Sequence, residues 1–196
     1  MPYPVQCACG TVKAELETTG HEIHCVCYCK DCQAFAHFLR KPETILDASG
    51  GTEVIQTSSA NLRFTDGLLH VACMRLSANG MLRWYANCCH TPIGNTMANS
   101  KIAFVGLFRQ VLATSGDRLD ETFGDVSCRC NGQSAIGEPK PKDHGILKAL
   151  VRLGSMILKN RINGRYRQSP FFHNGMPVAE PLILSNAQRQ ALTKLD

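Results

Sequence analysis

The spacing of apolar and polar positions changes character near residue 112. Before that point the apolar residues fall in short runs, often β-branched or aromatic, each bounded by Gly, Asn, Ser or Pro. Residues 11–16, 52–57, 68–76, 81–85 and 102–108 read as strands, because branched side chains suit a pleated surface and the flanking breakers end each run. Asn79-Gly80, between two of these runs, predicts a hairpin, since both residues tolerate the positive φ of a tight turn. Gly50-Gly51 and Asp66-Gly67 punctuate the chain in the same way. A short helix is expected over 31–39.

Residues 113–142 are turn-rich and weakly patterned. They contain Ser115-Gly116-Asp117, Gly124-Asp125 and Gly137-Glu138-Pro139-Lys140-Pro141, and read as a loop-rich extension and linker. Helical spacing takes over from 143 to 163. Ile146, Leu150, Leu153 and Ile157 share one face, with Leu147, Val151 and Leu158 beside them, and Lys148, Arg152 and Lys159 lie on the other. Asp143 is the expected N-cap and Gly164 the expected residue just past the C-terminus. The apolar stripe is expected to pack on the β domain with its basic residues solvated. Burying large aliphatic side chains outweighs what a few screened surface charges gain. Ser185 with Gln188 forms a capping box before a last short helix, 186–194. The expected organisation is a β domain over 1–112, the extension over 113–142 and a helical C-terminal extension over 143–196.

Hydrophobic residues make up 44% of the 196 and charged residues 19%, which is ordinary for a globular protein and makes the eleven cysteines stand out. An odd number precludes a complete disulfide framework. The N-terminal residues, Met1 to Cys7, have neither a basic stretch nor an apolar core of the kind that directs export, and no run of about 18 apolar residues exists to span a membrane. A cytoplasmic location with reduced thiols is therefore expected. Reduced, clustered cysteines point to a metal. The net charge of +5 is concentrated between Lys140 and Arg167, where eight cations face one acid, Asp143. The cysteine-rich part is slightly acidic, so the overall basicity does not argue for nucleic acid.

The cysteines form three clusters: Cys7-Ala8-Cys9-Gly10, the run from Cys25 to Cys32, and Cys88-Cys89. Zinc takes deprotonated sulfur ligands at about 2.3 Å in a tetrahedron. Gly10 lets the backbone curl behind Cys9 so that both sulfurs of the first cluster face one ion. Cys27, Cys29 and Cys32 place three sulfurs within six residues. Three protein thiolates leave a fourth position open, as in a catalytic site; a fourth ligand would make the site structural. Cys73 reads as a small core residue. Cys128 and Cys130 read equally as surface thiols or as a ligand pair. His24 and His90 read as turn residues, and Asp31 and His37 as surface residues.

The order Cys7-Ala8-Cys9-Gly10, Cys27-Tyr28-Cys29-Lys30-Asp31-Cys32 and Cys89-His90-Thr91-Pro92-Ile93 resembles the glutathione-dependent formaldehyde-activating enzyme family, which includes centromere protein V. The resemblance runs from about residue 5 to 110. The wider text around Cys27–Cys32 and Arg83–Asn95 is similar to an uncharacterised bacterial subgroup of that family. It implies a mainly β, tent-like zinc-binding fold with two metal sites. Cys7, Cys9 and a later cysteine pair would hold a structural zinc; Cys27, Cys29 and Cys32 would hold a second zinc at the active site. The family's earlier cysteine of the later pair falls on Ala86 and its glycine on His90, leaving Cys88 beside Cys89 as the replacement. Neighbouring side chains on an extended backbone point opposite ways, which makes adjacent cysteines awkward chelators.

The expected function is therefore that of a zinc-dependent carbon–sulfur lyase acting on a small thiol such as glutathione, or on a thiol–aldehyde adduct. Cys27, Cys29 and Cys32 would be the catalytic ligands, and Cys7, Cys9, Cys88 and Cys89 the other metal ligands. A second reading is a non-catalytic zinc module that binds a protein or nucleic acid through the basic helix. A third is metal handling or redox sensing by Cys25, Cys88, Cys128 and Cys130.

Overall fold

The computed structural model describes residues 2–112 and 119–193. The short branched runs of the first half form β1 (Tyr3–Gln6), β2 (Lys13–Leu16), β3 (Ile23–Cys27), β4 (Thr52–Thr57), β5 (Leu62–Asp66), β6 (Val71–Arg75), β7 (Leu82–Ala86), β8 (Thr91–Thr96) and β9 (Val105–Phe108). Helices α1 (Lys30–Phe38) and α2 (Pro42–Ile45) follow β3, and α3 (Arg109–Leu112) and α4 (Leu119–Phe123) follow β9. The rest of the chain comprises β10 (Cys128–Cys130), α5 (Ile146–Ile162), β11 (Phe172–His173), β12 (Met176–Pro177), β13 (Pro181–Ile183) and α6 (Asn186–Thr193). The chain is thus mainly β with a helical C-terminal segment. The turn expected at Ser115-Gly116-Asp117, and Lys194 at the end of the last helix, lie outside the described residues. Among the described residues no helix is long and apolar enough to cross a membrane.

Strands β1, β2 and β5 form a small antiparallel sheet, and a second sheet runs in the order β10-β3-β4-β9-β8-β7-β6-β13. In the large sheet Val54 pairs with Phe108 and Ile55 with Leu107. Successive residues point to opposite faces, so these pairs feed two different cores. On one face Ile55, Leu107, Trp84 and Ile93 pack against Val5 and Leu16 of the small sheet and Val12 just before β2. On the other, Val54, Phe108 and Met74 pack against Phe35 and Leu39, at the C-terminal end of α1. A sheet covered on both faces loses the alternation of inside and outside, and β8 and β9 are buried at every position. The Asn79-Gly80 hairpin joins antiparallel β6 and β7, with the Gly80 N–H donating to the Ser77 carbonyl at 3.0 Å.

Both later segments enter the large sheet. β10 lies parallel to β3, with Cys128 beside Cys25 and Cys130 beside Cys27, and β13 lies parallel to β6 at the opposite edge. Residues 128–130 therefore form a strand where the sequence suggests a loop. Three residues between turn formers carry too little pattern to show a period, and their partners lie far away in the chain. Phe171 is fully buried in the first core, its ring centroid 5.0 Å from that of Trp84.

Helix α5 corrects two expectations and meets one. It starts at Ile146 behind Gly145, which has φ 71°, and the Asp143 carboxylate accepts the Gly132 N–H at 2.7 Å instead of capping the helix. Gly164 does adopt the left-handed conformation past the C-terminus. The apolar stripe, expected against the β domain, packs there only in part: Leu153 and Ile157 are half-buried, whereas Leu147 is 77% exposed, Leu150 60%, Val151 65% and Leu158 60%. The helix buries Ala149 and Asn160 instead, with Leu153 half-buried against the second core. The reason lies in what the body offers it. Thr19, His21, Thr57, Ser58 and Asn61 oppose Arg152, Ser155, Met156, Lys159 and Asn160 across a cavity of about 390 Å³, so side chains with hydrogen-bonding groups, together with Met156, line the walls where the helix meets the body.

Candidate metal centres

The first cysteine group forms where two turns meet. Past β1 the chain reverses through Cys7–Gly10, closed by the Gly10 N–H on the Cys7 carbonyl at 2.9 Å and the Cys7 N–H on the Val12 carbonyl at 3.0 Å. Gly10 has φ 78°, and a Cβ there would meet Gln6 Nε2 at 3.0 Å, so glycine is required. The Val12 N–H points at Cys7 Sγ from 3.2 Å. The second turn follows β7. The Ala86 carbonyl accepts N–H groups from Cys89 at 3.3 Å and His90 at 2.7 Å, and His90 is left-handed with φ 53°. Cys88 and Cys89 therefore sit on a turn and not on extended backbone, and their sulfurs converge to 3.9 Å.

Cys7 Sγ lies 3.5 Å from Cys9 Sγ and 3.9 Å from Cys88 Sγ, and Cys9 Sγ lies 3.3 Å from Cys88 Sγ. All four sulfurs fall within 4.8 Å of one another. Four sulfurs about 2.3 Å from a central ion have edges of about 3.8 Å, so this group fits a metal ion. Cys88 and Cys89 both belong to this group. The surroundings favour thiolates at two corners. A hydrogen bond with the Thr11 hydroxyl, followed by the Thr11 N–H, brings the Cys9 thiol down to about 6. Burial works against ionisation of Cys89, but the Thr91 hydroxyl and backbone outweigh it and hold its pKa below the usual thiol value. Lys41 Nζ donates to the Cys89 carbonyl at 2.8 Å.

The second group is built on the junction of a strand and a helix. Cys27 ends β3, Cys29 is the N-cap of α1, and Cys32 lies in its first turn, where its N–H donates to the Cys29 carbonyl at 3.0 Å. The three sulfurs lie within 4.8 Å of one another; Cys32 is buried and the other two are half-buried. The positive end of α1 favours negative sulfur here. Without a cation, however, the thiols suppress one another's ionisation. Hydrogen bonding to Cys130 and then Cys29 raises the Cys27 pKa. Cys29 stands at about 11, because Cys32 and burial outweigh the lowering by Cys27, and Cys32 is pushed to about 11 chiefly by Cys27. A dication among them reverses that balance, so this group too fits a metal ion, with three ligands.

Two neighbours of this group, Arg83 and Asn131, were not singled out from the sequence, and a third, Cys130, was read there only as a surface thiol or as a ligand paired with Cys128. Arg83, only 4% exposed, reaches from β7 to place Nη1 4.0 Å from Cys32 Sγ and 3.4 Å from Asn95 Oδ1. Asn131 Nδ2 donates to Cys27 Sγ at 3.5 Å. Cys130 stands beside Cys27 through the β10–β3 register. The signal for Arg83 was available: an arginine inside an apolar strand must find a buried partner. Asn131 and Cys130 depend on a parallel pairing that has no local signature. Asp31 is no free base, since Oδ1 accepts from Arg189 Nη2 at 2.8 Å and Oδ2 lies 3.9 Å from Arg83 Nη2. Cys73 is a buried residue of β6, its thiol pushed up to about 12 by burial.

Neither His24 nor His90 joins either sulfur group. His24 belongs to β3 and not to a turn; its Nε2 lies 2.7 Å from Glu53 Oε1 and its Nδ1 2.7 Å from the Gly124 carbonyl. Burial alone would depress its pKa, but the Glu53 and Gly124 oxygens outweigh burial and raise it, while His24 holds the Glu53 carboxyl below its usual range. The raised histidine contributes stability that is complete below about pH 6.5 and is lost as pH climbs through the folded value. The lowered carboxyl contributes stability above about pH 4.5 that is lost as pH falls through its folded value. His24→Gln should therefore destabilise the protein by about 1 kcal/mol more at pH 5.5 than at pH 8.5. Thermal unfolding of both proteins at the two pH values checks this; an equal loss at each would mean that the pair carries no charge.

Two cavities of the described residues are lined without any cysteine. One of about 620 Å³ is lined by Glu15, Glu17, Arg63 and Arg165, and the one of about 390 Å³ lies under α5. Cys27 and Cys29 instead meet solvent at the surface of the fold.

The model of a family of unknown function, DUF6151, matches residues 2–182, a span that includes both sulfur groups, β10 and α5. No curated protein matches the chain. A solved structure, titled the crystal structure of a Rhodobacter sphaeroides protein, is similar with 17% identity and a TM-score of 0.45, over 63% of this chain and 96% of that one.

Proposed function

The chain belongs to DUF6151, a family of unknown function, and we propose that it is a zinc-dependent carbon–sulfur lyase-like enzyme acting on a small thiol or a thiol–aldehyde adduct. The observation that carries this reading is the contrast between the two sulfur groups, one of four cysteines and one of three. Four thiolates close a tetrahedral zinc site, whereas three leave a position for a substrate. The motif resemblance to glutathione-dependent formaldehyde-activating enzymes supports the same assignment of roles. Cys7, Cys9, Cys88 and Cys89 would hold a structural zinc. Cys27, Cys29 and Cys32 would hold the second, which when bound supplies Lewis acidity and keeps an incoming sulfur deprotonated at neutral pH.

The chain's own residues prepare that site in three ways. Arg83, buried beside Cys32, offsets part of the negative charge that three thiolates concentrate. Asn131 orients Cys27 by donating to its sulfur. Cys27 and Cys29 are only partly buried, which leaves the group reachable by a small substrate such as a glutathione adduct.

Cys130 favours a second reading. Its place beside Cys27 makes it a fourth thiolate if β10 shifts, and the site would then be closed and structural. Cys29→Ser separates the two. On the catalytic reading the variant should fall from about two zinc ions per chain to about one, keep its circular dichroism, and lose turnover of glutathione plus formaldehyde that the wild type performs. Collapse of the fold in Cys29→Ser, or turnover that survives it, would sink the catalytic assignment.

A further inference from the structure

Helix α5 turns much of its aliphatic stripe to solvent. Leu147, Leu150, Val151, Leu158 and Ile162 are 77%, 60%, 65%, 60% and 74% exposed. At about 100° per residue, Leu147, Val151, Leu158 and Ile162 fall within an arc of roughly 60°. Leu150 lies about 60° beyond one edge of that arc, with Gly154 between it and the edge. The buried residues of the helix, Ala149 and Asn160, lie on the opposite side, so the stripe points directly away from the body. Lys148 and Lys159 stand beyond one border of it and Arg161 at the other, while Arg152, half-buried, turns toward the cavity under the helix, and the helix contains no acid from Ile146 to Ile162.

A contiguous aliphatic patch of this size marks a docking surface, and its charge selects the occupant. A second copy of the chain, pairing stripe to stripe, would set two rows of cations against each other with no carboxylate on either helix to answer them. Nucleic acid would answer the cations but leave five aliphatic side chains in water. An anionic lipid surface meets both demands, since aliphatic side chains sink to the headgroup–acyl boundary while lysine and arginine reach the phosphates alongside. We propose that α5 is an interfacial helix that seats the protein on anionic membranes, lying in the plane of the surface.

The test is flotation of the full chain with vesicles of phosphatidylcholine, alone or with phosphatidylglycerol at about one lipid in three. Wild type should bind the anionic vesicles at least about tenfold more tightly than the neutral ones, and less tightly as salt rises. Leu150→Asp with Leu158→Asp, and separately Lys148→Glu with Lys159→Glu, should each weaken that binding at least about tenfold. Both double variants should keep the wild-type melting temperature and metal content, because all four side chains are exposed. Equal binding to both vesicle types would overturn the proposal. So would a wild-type dimer, seen by analytical ultracentrifugation, that the aspartate pair dissolves. Duplex DNA or RNA bound more tightly than vesicles, sensitive to the glutamate pair but not to the aspartate pair, would reassign the surface to nucleic acid.

Discussion

Cys9→Ser is expected to lower the melting temperature by roughly 10 °C or more, or to remove soluble protein altogether. Cys9 sits at the junction of two turns that belong to different sheets. Its own turn joins β1 to β2 of the small sheet, and the Cys88-Cys89 turn joins β7 to β8 of the large one. A metal ion held by these four sulfurs therefore cross-links the two layers that enclose the first core. Structural zinc supplies on the order of ten kcal/mol to small metallo-domains, comparable to the whole net stability of a typical domain. Losing one thiolate of four would forfeit a large share of this, about 4 kcal/mol, and each kcal/mol is worth about 2–4 °C in a chain of this size. The serine also leaves Cys7, which is 1% exposed in the core, facing a vacant centre. Thermal unfolding with and without a strong chelator, alongside metal per chain, checks the expectation. A Cys9→Ser protein that melts like the wild type, or a metal-stripped wild type that melts like the loaded one, would refute it.

Phe171→Ala should cost about 3–5 kcal/mol, the range for emptying a fully buried aromatic site. Phe171 is a wedge driven into the first core from the C-terminal segment. Its ring centroid lies 5.0 Å from that of Trp84 in the large sheet and 5.6 Å from that of Phe64 in the small one. The cavity left behind would open onto both, and Trp84, whose indole N–H donates to Thr96 Oγ1 at 2.9 Å, is not free to move in and fill it. The Val178 N–H on the Phe171 carbonyl at 3.0 Å holds the wedge in place. Urea unfolding followed by Trp84 fluorescence should show one transition with a lower midpoint and an unchanged slope. If the C-terminal segment folded independently of the β core, that transition would stay where it is in the wild type.

The site and the fold were legible to different depths. Cys27, Cys29 and Cys32 could be grouped from the chain alone because their convergence needs only a strand end and one helical turn. The runs at 52–57 and 81–85 announced strands for a similar reason: side-chain alternation and breakers are local properties. The gathering of Cys9 with Cys88, 79 positions apart, drew on motif order for its pairing. The expectation that adjacent cysteines diverge assumed extended backbone, whereas residues 86–90 form a turn that bends both sulfurs inward.

By itself the sequence determined the mainly β character of the first half, the long helix and the last short helix, the spacing of the sulfur ligands, the glycine that the first sulfur turn needs, and which residues of α5 share a face. Only the tertiary structure decided that Cys130 stands beside Cys27, that Arg83 is buried against Cys32, that Phe171 plugs the first core and that much of the aliphatic face of α5 looks outward. The division has one physical cause. Periodicity and turn chemistry are set by residues within a few positions of one another. A parallel edge pairing, a buried cation and the inward side of a helix are set by whatever surface the rest of the chain presents. Beneath α5 that surface is Thr19, His21, Thr57, Ser58 and Asn61, which face Arg152, Ser155, Met156, Lys159 and Asn160 of the helix.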